Sequence, residues 1–117
     1  MTRALLFAAL LVPLAALAAT DADISRLLRE RGCALCHRAA PFQAEKEVPP
    51  VGPSWSEIAS RYRRQPGAEA RLVAVVLQGT KSGARHWSGR ASGDAMLPNK
   101  VEVSEDEARA IVRWILR

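Results

Sequence analysis

The stretch Cys33-Ala34-Leu35-Cys36-His37 decides how the rest of this 117-residue sequence is interpreted. Its cysteines are the only 2 in the chain. Two thiols three residues apart lie on one side of a single helical turn, so both can bond to the vinyl groups along one porphyrin edge. The adjacent His37 would then be held under the iron, where neutral imidazole is a good ligand. The pattern predicts one haem c, attached covalently through Cys33 and Cys36.

Three other kinds of site use a C-x-x-C pair. A thioredoxin-like redox disulfide belongs near a βαβ pattern, which this sequence lacks. A zinc site needs further ligands, and His86 is the only other histidine. A structural disulfide is possible in an exported protein. The complete C-x-x-C-H pattern favours haem over all three.

The first 18 residues have the pattern of an export signal. A short basic start containing Arg3 precedes an apolar run of about 14 residues, shorter than the roughly 20 that span a bilayer. Ala16 and Ala18 then form the A-x-A arrangement that signal peptidase accepts. We expect a cleaved signal peptide over residues 1–18, one domain over residues 19–117 and a periplasmic location without stable membrane insertion. An uncleaved anchor is the alternative.

The charge is unevenly distributed. The chain has a formal net charge of +5, and loss of Arg3 with the leader lowers it to +4. Seven basic residues opposed only by Glu69 occupy residues 61–90: Arg61, Arg63, Arg64, Arg71, Lys81, Arg85 and Arg90. Such a stretch can orient an acidic partner, although it is more often an ordinary solvated face. Nucleic acid is not expected, because the protein is exported and the aromatic interleaving typical of single-strand binding is missing.

The periodicity of the apolar residues is helical. Ile24, Leu27 and Leu28 mark one stripe of a first helix that Asp21 or Asp23 could cap. Prolines make residues 39–53 a loop. Ser54 can cap a short helix over residues 55–64, and another helix is expected over residues 68–78. Three residues mark the buried side of that helix: Leu72, Val75 and Val76.

The last segment gives the clearest helical signal. Ser104 and Glu107 form a capping box, S-x-x-E. One apolar face follows, made of Ala108, Ile111, Val112 and Ile115. Residues 79–100 are loop-like, so the sequence predicts an all-α domain with long loops.

An iron held by one histidine needs a second ligand or keeps an open face. Met96 is the only methionine after the initiator, and it lies in a loop rather than in a helical core stripe. It is therefore the candidate ligand, with packing over a small core as the alternative. His86 lies in a polar loop, where a solvent-facing side chain is expected.

These residues, in their order, resemble the small bacterial monohaem class I cytochromes c of the c-551 and c-552 type. The resemblance covers nearly the whole chain after the leader. The segments that carry it are the C-x-x-C-H motif, Val51-Gly52-Pro53-Ser54-Trp55, Trp87, Met96-Leu97-Pro98-Asn99, Ser104-Glu105-Asp106-Glu107-Ala108 and Arg113-Trp114-Ile115-Leu116.

The resemblance implies a role for each matching residue. Met96 would be the sixth ligand of the iron, opposite His37. The carbonyl of Pro53 would accept a hydrogen bond from the outer nitrogen of His37, fixing its tautomer. Asn99 would help to orient Met96, and the Trp87 indole would donate to a haem propionate.

The resemblance also implies the fold and the function. About four short helices would wrap around the haem, with the terminal helices crossing near Trp114. The protein would carry single electrons between redox partners, as a monomer or weak associate, and would not be an enzyme. Two alternatives stay open: a haem subunit of an exported oxidoreductase complex, and a haem sensor or ligand-binding protein in which Met96 does not ligate.

The sequence departs from the family pattern at three places. Residues 38–50 and residues 88–95 are longer than usual. Val75 stands where many relatives have an arginine that helps to hold a propionate. Arg85 or Arg90 could take the place of that arginine.

Overall fold

The described part of the chain folds into four α-helices joined by long loops. The computed structural model describes residues 18–83, 86–99 and 102–117. Its elements are α1 (Asp21–Glu30), a 3-10 turn (Cys33–Leu35), α2 (Trp55–Tyr62), α3 (Ala68–Gln78) and α4 (Glu105–Ile115). The described part contains no strand, so the all-α prediction is confirmed.

The export signal cannot be compared with the structure, because residues 1–17 lie outside the described part. Within that part, none of the helices has the length and apolarity needed to cross a bilayer.

Capping boxes begin α1, α2 and α4. Ser54 and Ser104 cap α2 and α4, as the sequence predicts. The prediction for α1 was wrong, since the cap is Thr20. Thr20 accepts from the amide of Asp23 (3.2 Å) and donates its own amide to the Asp23 carboxylate (3.1 Å). Asp23 therefore closes the box from inside the helix, a position that its carboxylate fits because of the helix dipole.

Two other helix predictions need correction. Helix α2 ends at Tyr62 and not at residue 64, since the chain turns ahead of Pro66. In α3 the buried residues are Ala68 and Val73, and Val73 packs on Ala108 and Val112 of α4. The three residues predicted to be buried, Leu72, Val75 and Val76, are only half-buried. Leu72 and Val76 nevertheless pack against the same cluster as Val73.

The terminal helices pack together in the larger core cluster. Ile24 and Leu28 of α1 lie against Ile111 and Ile115 of α4, and all four are buried. Trp114 packs on the same cluster, and its indole N–H donates to Asp21 (2.9 Å). This contact between α1 and α4 is the arrangement expected for the fold.

A second contact joins the end of α1 to the start of α4. The guanidinium of Arg31 lies 2.7 Å from Glu107, whose other oxygen accepts the Ser104 amide (2.9 Å). The hydrogen bond from Arg31, followed by that from the Ser104 amide, lowers the pKa of Glu107. Because Arg31 precedes Cys33 by two residues, this pair fixes where the C-x-x-C-H segment leaves α1.

We predict that Glu107→Gln weakens the acid dependence of folding stability. The Glu107 contribution is fully present above its unfolded pKa of about 4.3 and is lost as the pH falls through the lower folded value. Chemical unfolding at pH values between about 6 and 3 should show a flatter profile for the variant. Glu45→Gln, at an exposed loop position, is the control. Identical profiles for wild type and Glu107→Gln would contradict the prediction.

Candidate haem-binding site

The C-x-x-C-H segment follows α1 through a sharp turn. Gly32 has a φ of 73°, a left-handed conformation that glycine adopts without a steric penalty. The 3-10 turn follows, and the amide of His37 donates to the carbonyl of Cys33 (3.0 Å). Both thiols are therefore carried by one short helical turn. Both cysteines are free, Cys33 half-buried and Cys36 exposed, so the structural disulfide that the spacing also allows is not formed.

His37 is held by one hydrogen bond that fixes its tautomer. Its Nδ1–H donates to the carbonyl oxygen of Pro53 over 2.7 Å. A carbonyl can only accept, so the proton lies on Nδ1 and the lone pair of Nε2 is left for a metal. Burial lowers the pKa of His37, and the bond to Pro53 opposes that shift. The imidazole is therefore neutral at pH 7, as an iron ligand must be.

Two further residues confine the His37 ring. The backbone of Gly52 lies so close to it that a Cβ there would be 2.8 Å from Cε1 and 2.9 Å from Nδ1. The Trp55 ring stacks on the imidazole, with 4.6 Å between centroids and 27° between planes. The amide of Gly52 donates to the carbonyl of Cys36 (2.9 Å), which ties this loop to the motif.

Sequence reasoning had assigned no role to Gly52 or Trp55. The only local signal was their position next to Pro53. Their contact with His37 joins residues 15 to 18 positions apart through a proline-rich loop without periodicity. No pattern of apolar residues predicts such a contact.

The segment that contains Met96 is hydrogen-bonded to the C-terminal end of α3 and to the residues that follow it. The amide of Met96 donates to the hydroxyl of Thr80 (2.9 Å), and the amide of Thr80 donates to the Met96 carbonyl (2.9 Å). Three residues later, the amide of Asn99 donates to the carbonyl of Val76 (3.1 Å). The backbone around Met96 is therefore fixed on the side of α3. Thr80 is a further residue that the sequence analysis did not identify.

The remaining candidate residues have partners within the protein. The Asn99 side chain donates to the carbonyl of Leu97 (3.2 Å), so its role toward Met96 stays a prediction. Trp87 is half-buried, and the Arg61 guanidinium lies 4.9 Å from its ring centroid. Its bond to a propionate likewise stays a prediction.

The two arginines considered as substitutes for the missing propionate arginine are Arg85 and Arg90. Arg90 is paired with Glu57, and Arg85 lies outside the described residues.

The donor set fits a covalently bound haem. Two free thiols lie on one turn, and the neutral His37 beside them has an available Nε2. The zinc alternative finds no support, because the described residues contain no cluster of three or more His, Cys, Asp and Glu side chains suited to a metal ion. Haem c needs only the thiols and the imidazole that this turn provides.

Comparison with known proteins gives the same assignment. Residues 22–117 match the family model described as Cytochrome c. The chain belongs to the cytochrome c family. It is 37% identical over 95 residues to cytochrome c2 of Rhodocyclus tenuis, which covers 81% of this chain and 91% of that protein. It is 34% identical over 110 residues to cytochrome c-552 of Nitrosomonas europaea, covering 94% and 89%.

Solved structures extend the likeness to the fold. The crystal structure of wild-type Nitrosomonas europaea cytochrome c552 matches with a TM-score of 0.58 and 30% identity, covering 79% of this chain and 95% of that one. The class 1 cytochrome MtoD of Sideroxydans lithotrophicus ES-1 matches with a TM-score of 0.56 and 28% identity, covering 84% and 96%.

The family assignment confirms three of the expectations from the sequence. This is a small class I monohaem cytochrome c. Its cofactor is one covalently attached haem c. It acts in electron transfer with redox partners.

We predict that Gly52→Ala destabilises the haem protein by about 2 kcal/mol, because the new methyl group overlaps a ring that Pro53 and Trp55 hold in place. Denaturant unfolding of the haem-loaded protein measures this cost. The control is Ser60→Ala on the exposed side of α2, with an expected change within about 0.5 kcal/mol. Equal stability of Gly52→Ala and wild type would mean that the ring is not confined by this backbone.

Proposed function

We propose that the chain is an exported one-electron carrier of the periplasm, in which Cys33 and Cys36 would bind one haem covalently and His37 and Met96 would ligate its iron. Bound haem c supplies a reversible one-electron change at iron. The protein's own contribution is to hold both ligands, limit the access of water and leave a route for electrons to a partner.

The observation that carries this proposal is the hydrogen bond between His37 and Pro53. Such a bond keeps a ligating imidazole in one tautomer and one orientation and increases its basicity. The ring is also confined by Gly52 and Trp55, so the ligand reorganises little between oxidation states. Small reorganisation suits repeated electron transfer without chemistry at the metal.

Met96 is proposed as the second ligand because of how its segment is fixed. Reciprocal hydrogen bonds with Thr80 hold the backbone on both sides of the residue, while its side chain is only half-buried by protein. A thioether ligand favours the reduced iron and raises the reduction potential. With two protein ligands on the iron no position is free for a substrate, so we expect an electron carrier and no catalysis.

Export is proposed from the leader over residues 1–18, with residues 19–117 as the mature haem domain. This placement suits the cysteines, since haem c is attached outside the cytoplasm.

A redox partner with an acidic surface is proposed from the charge distribution. Exposed basic residues of the 61–90 stretch include Arg63, Arg64 and Lys81. Glu69, the one acid in that stretch, is paired with Arg109 and Arg113 of α4 instead of with these residues. The excess positive charge can therefore steer an acidic partner into a weak encounter, as electron carriers require. We expect the carrier itself to be a monomer or to associate weakly.

The ligand assignment is tested by Met96→Ala and His86→Ala. In the ferric wild-type protein, methionine ligation gives a weak near-infrared charge-transfer band. We expect Met96→Ala to lose this band and to lower the reduction potential, whereas His86→Ala keeps both. Absorption spectra and potentiometric titration measure these properties.

Absence of the band in the wild type would contradict methionine ligation. In that case, a ferric spectrum that changes in His86→Ala but not in Met96→Ala would assign the second ligand to histidine, and spectra unchanged in both variants would leave the ligand-binding alternative.

A further inference from the structure

The two segments that are longer than the family pattern lie against each other. The amide of Ser92 donates to the carbonyl of Pro50 (2.7 Å), and the amide of Gly93 donates to the carbonyl of Val51 (2.9 Å). The approach is close, since a Cβ on Gly93 would lie 2.6 Å from the Val51 oxygen. These two hydrogen bonds join residues about 42 positions apart. These hydrogen bonds join the chain at the end of residues 38–50 to residues 88–95, and we call them the cross-link between residues 50–51 and 92–93.

Arg90 fixes this cross-link to α2. Its Nε donates to Glu57 over 2.7 Å, and a second guanidinium nitrogen contacts the same carboxylate. The Glu57 side chain is only 10% exposed, so the ion pair is partly shielded from solvent. The guanidinium also lies 5.9 Å from the ring centroid of Phe42, which is buried at 5% exposure. Arg90 thus connects α2, residues 38–50 and its own segment.

The position of the cross-link relates it to both proposed iron ligands. On one side Val51 is followed by Gly52 and Pro53, the residues that confine His37. On the other side Gly93 precedes Met96 by three residues. A displacement of residues 92–93 would therefore move the backbone that leads into Met96.

The other attachments of this segment all run toward the end of α3. Met96 is bonded to Thr80, and Asp94 accepts hydrogen bonds from Ser82 and from the amide of Gly83. These bonds hold the segment to the element it follows in the chain. Among the described residues, it is the set formed by Arg90, Ser92 and Gly93 that ties the segment to the side of His37.

We propose that Arg90 is a positioning residue for Met96: by pairing with Glu57 and packing over Phe42, it holds the cross-link in place and so keeps the methionine segment at a fixed distance from the His37 loop. The inference rests on the proposed ligation by Met96. The function of Arg90 is to resist displacement of the Met96 thioether, which preserves the closed site that an electron carrier needs.

Displacement of Met96 by imidazole tests the inference in the ferric, haem-loaded protein. Arg90→Gln should lower the apparent Kd for imidazole about fivefold, the effect of losing one partly shielded ion pair. Arg90→Lys retains the positive charge but loses the two-nitrogen contact with Glu57, and it should give a smaller decrease. The matched control is Arg109→Gln, which removes an arginine paired with Glu69 and Glu105 on α3 and α4. Its apparent Kd should equal that of the wild type.

The outcomes separate this inference from the proposed function. A lower apparent Kd for Arg90→Gln, with Arg109→Gln unchanged, supports the positioning role. Equal values for all variants overturn it, and so does an equal decrease for both glutamine variants, which would indicate general destabilisation. A wild type without the methionine charge-transfer band instead refutes Met96 ligation. If Arg90→Gln does not fold, Arg90→Lys and Gly93→Ala are measured in its place, with the same direction expected.

Discussion

A histidine that ligates iron must present the same nitrogen in both oxidation states, and the hydrogen bond from His37 to Pro53 would determine which nitrogen the proposed ligand His37 presents. Nδ1 keeps its proton to donate this hydrogen bond, so Nε2 is the only ring nitrogen with a free lone pair. The bond also fixes the distance between the C-x-x-C-H turn and the loop before α2. Gly52, which precedes Pro53, and Trp55, which follows it by two residues, also contact the ring.

The helices support this contact from both directions along the chain. The packing of α1 on α4, with the pair of Arg31 and Glu107, fixes where the C-x-x-C-H turn starts. The capping box of α2 at Ser54 fixes where Pro53 ends its loop. Ser54 is fully buried, and its hydroxyl and amide both bond to Glu57. Since Glu57 also binds Arg90, one carboxylate links the α2 cap to the segment that leads to Met96.

The sequence predicted those parts of the fold whose signals are local. Helix α3 begins and ends where expected because Gly67 and Gly79 stop it on both sides, and α4 follows from its capping box and one apolar face. Contacts between distant loops had no such signal. The cross-link between residues 50–51 and 92–93 consists mainly of backbone hydrogen bonds, which leave no periodic pattern of residue types in the sequence. For the same reason Thr80 was missed, since its bonds with Met96 mainly use backbone groups.

The number of charged residues in the sequence also did not predict which of them are available to a partner. The sequence shows a basic stretch over residues 61–90, but several of its arginines interact with other groups of the same protein. Arg90 binds Glu57, and Arg61 lies over Trp87 and donates to the His86 carbonyl. The surface available to a partner is therefore a subset of the stretch. A list of charges cannot reveal which arginines have partners, because those partners come from distant parts of the chain.

The structure makes His37 neutral, with its proton on Nδ1 and hydrogen-bonded to the carbonyl of Pro53. A long-range ¹H–¹⁵N correlation spectrum of the ferrous, haem-loaded protein labelled with ¹⁵N-histidine tests this tautomer. We expect a protonated Nδ1 for His37, with slow exchange of that proton against solvent, and no proton on Nε2. A proton on Nε2, or rapid exchange at Nδ1, would refute the hydrogen bond to Pro53 as the feature that orients His37.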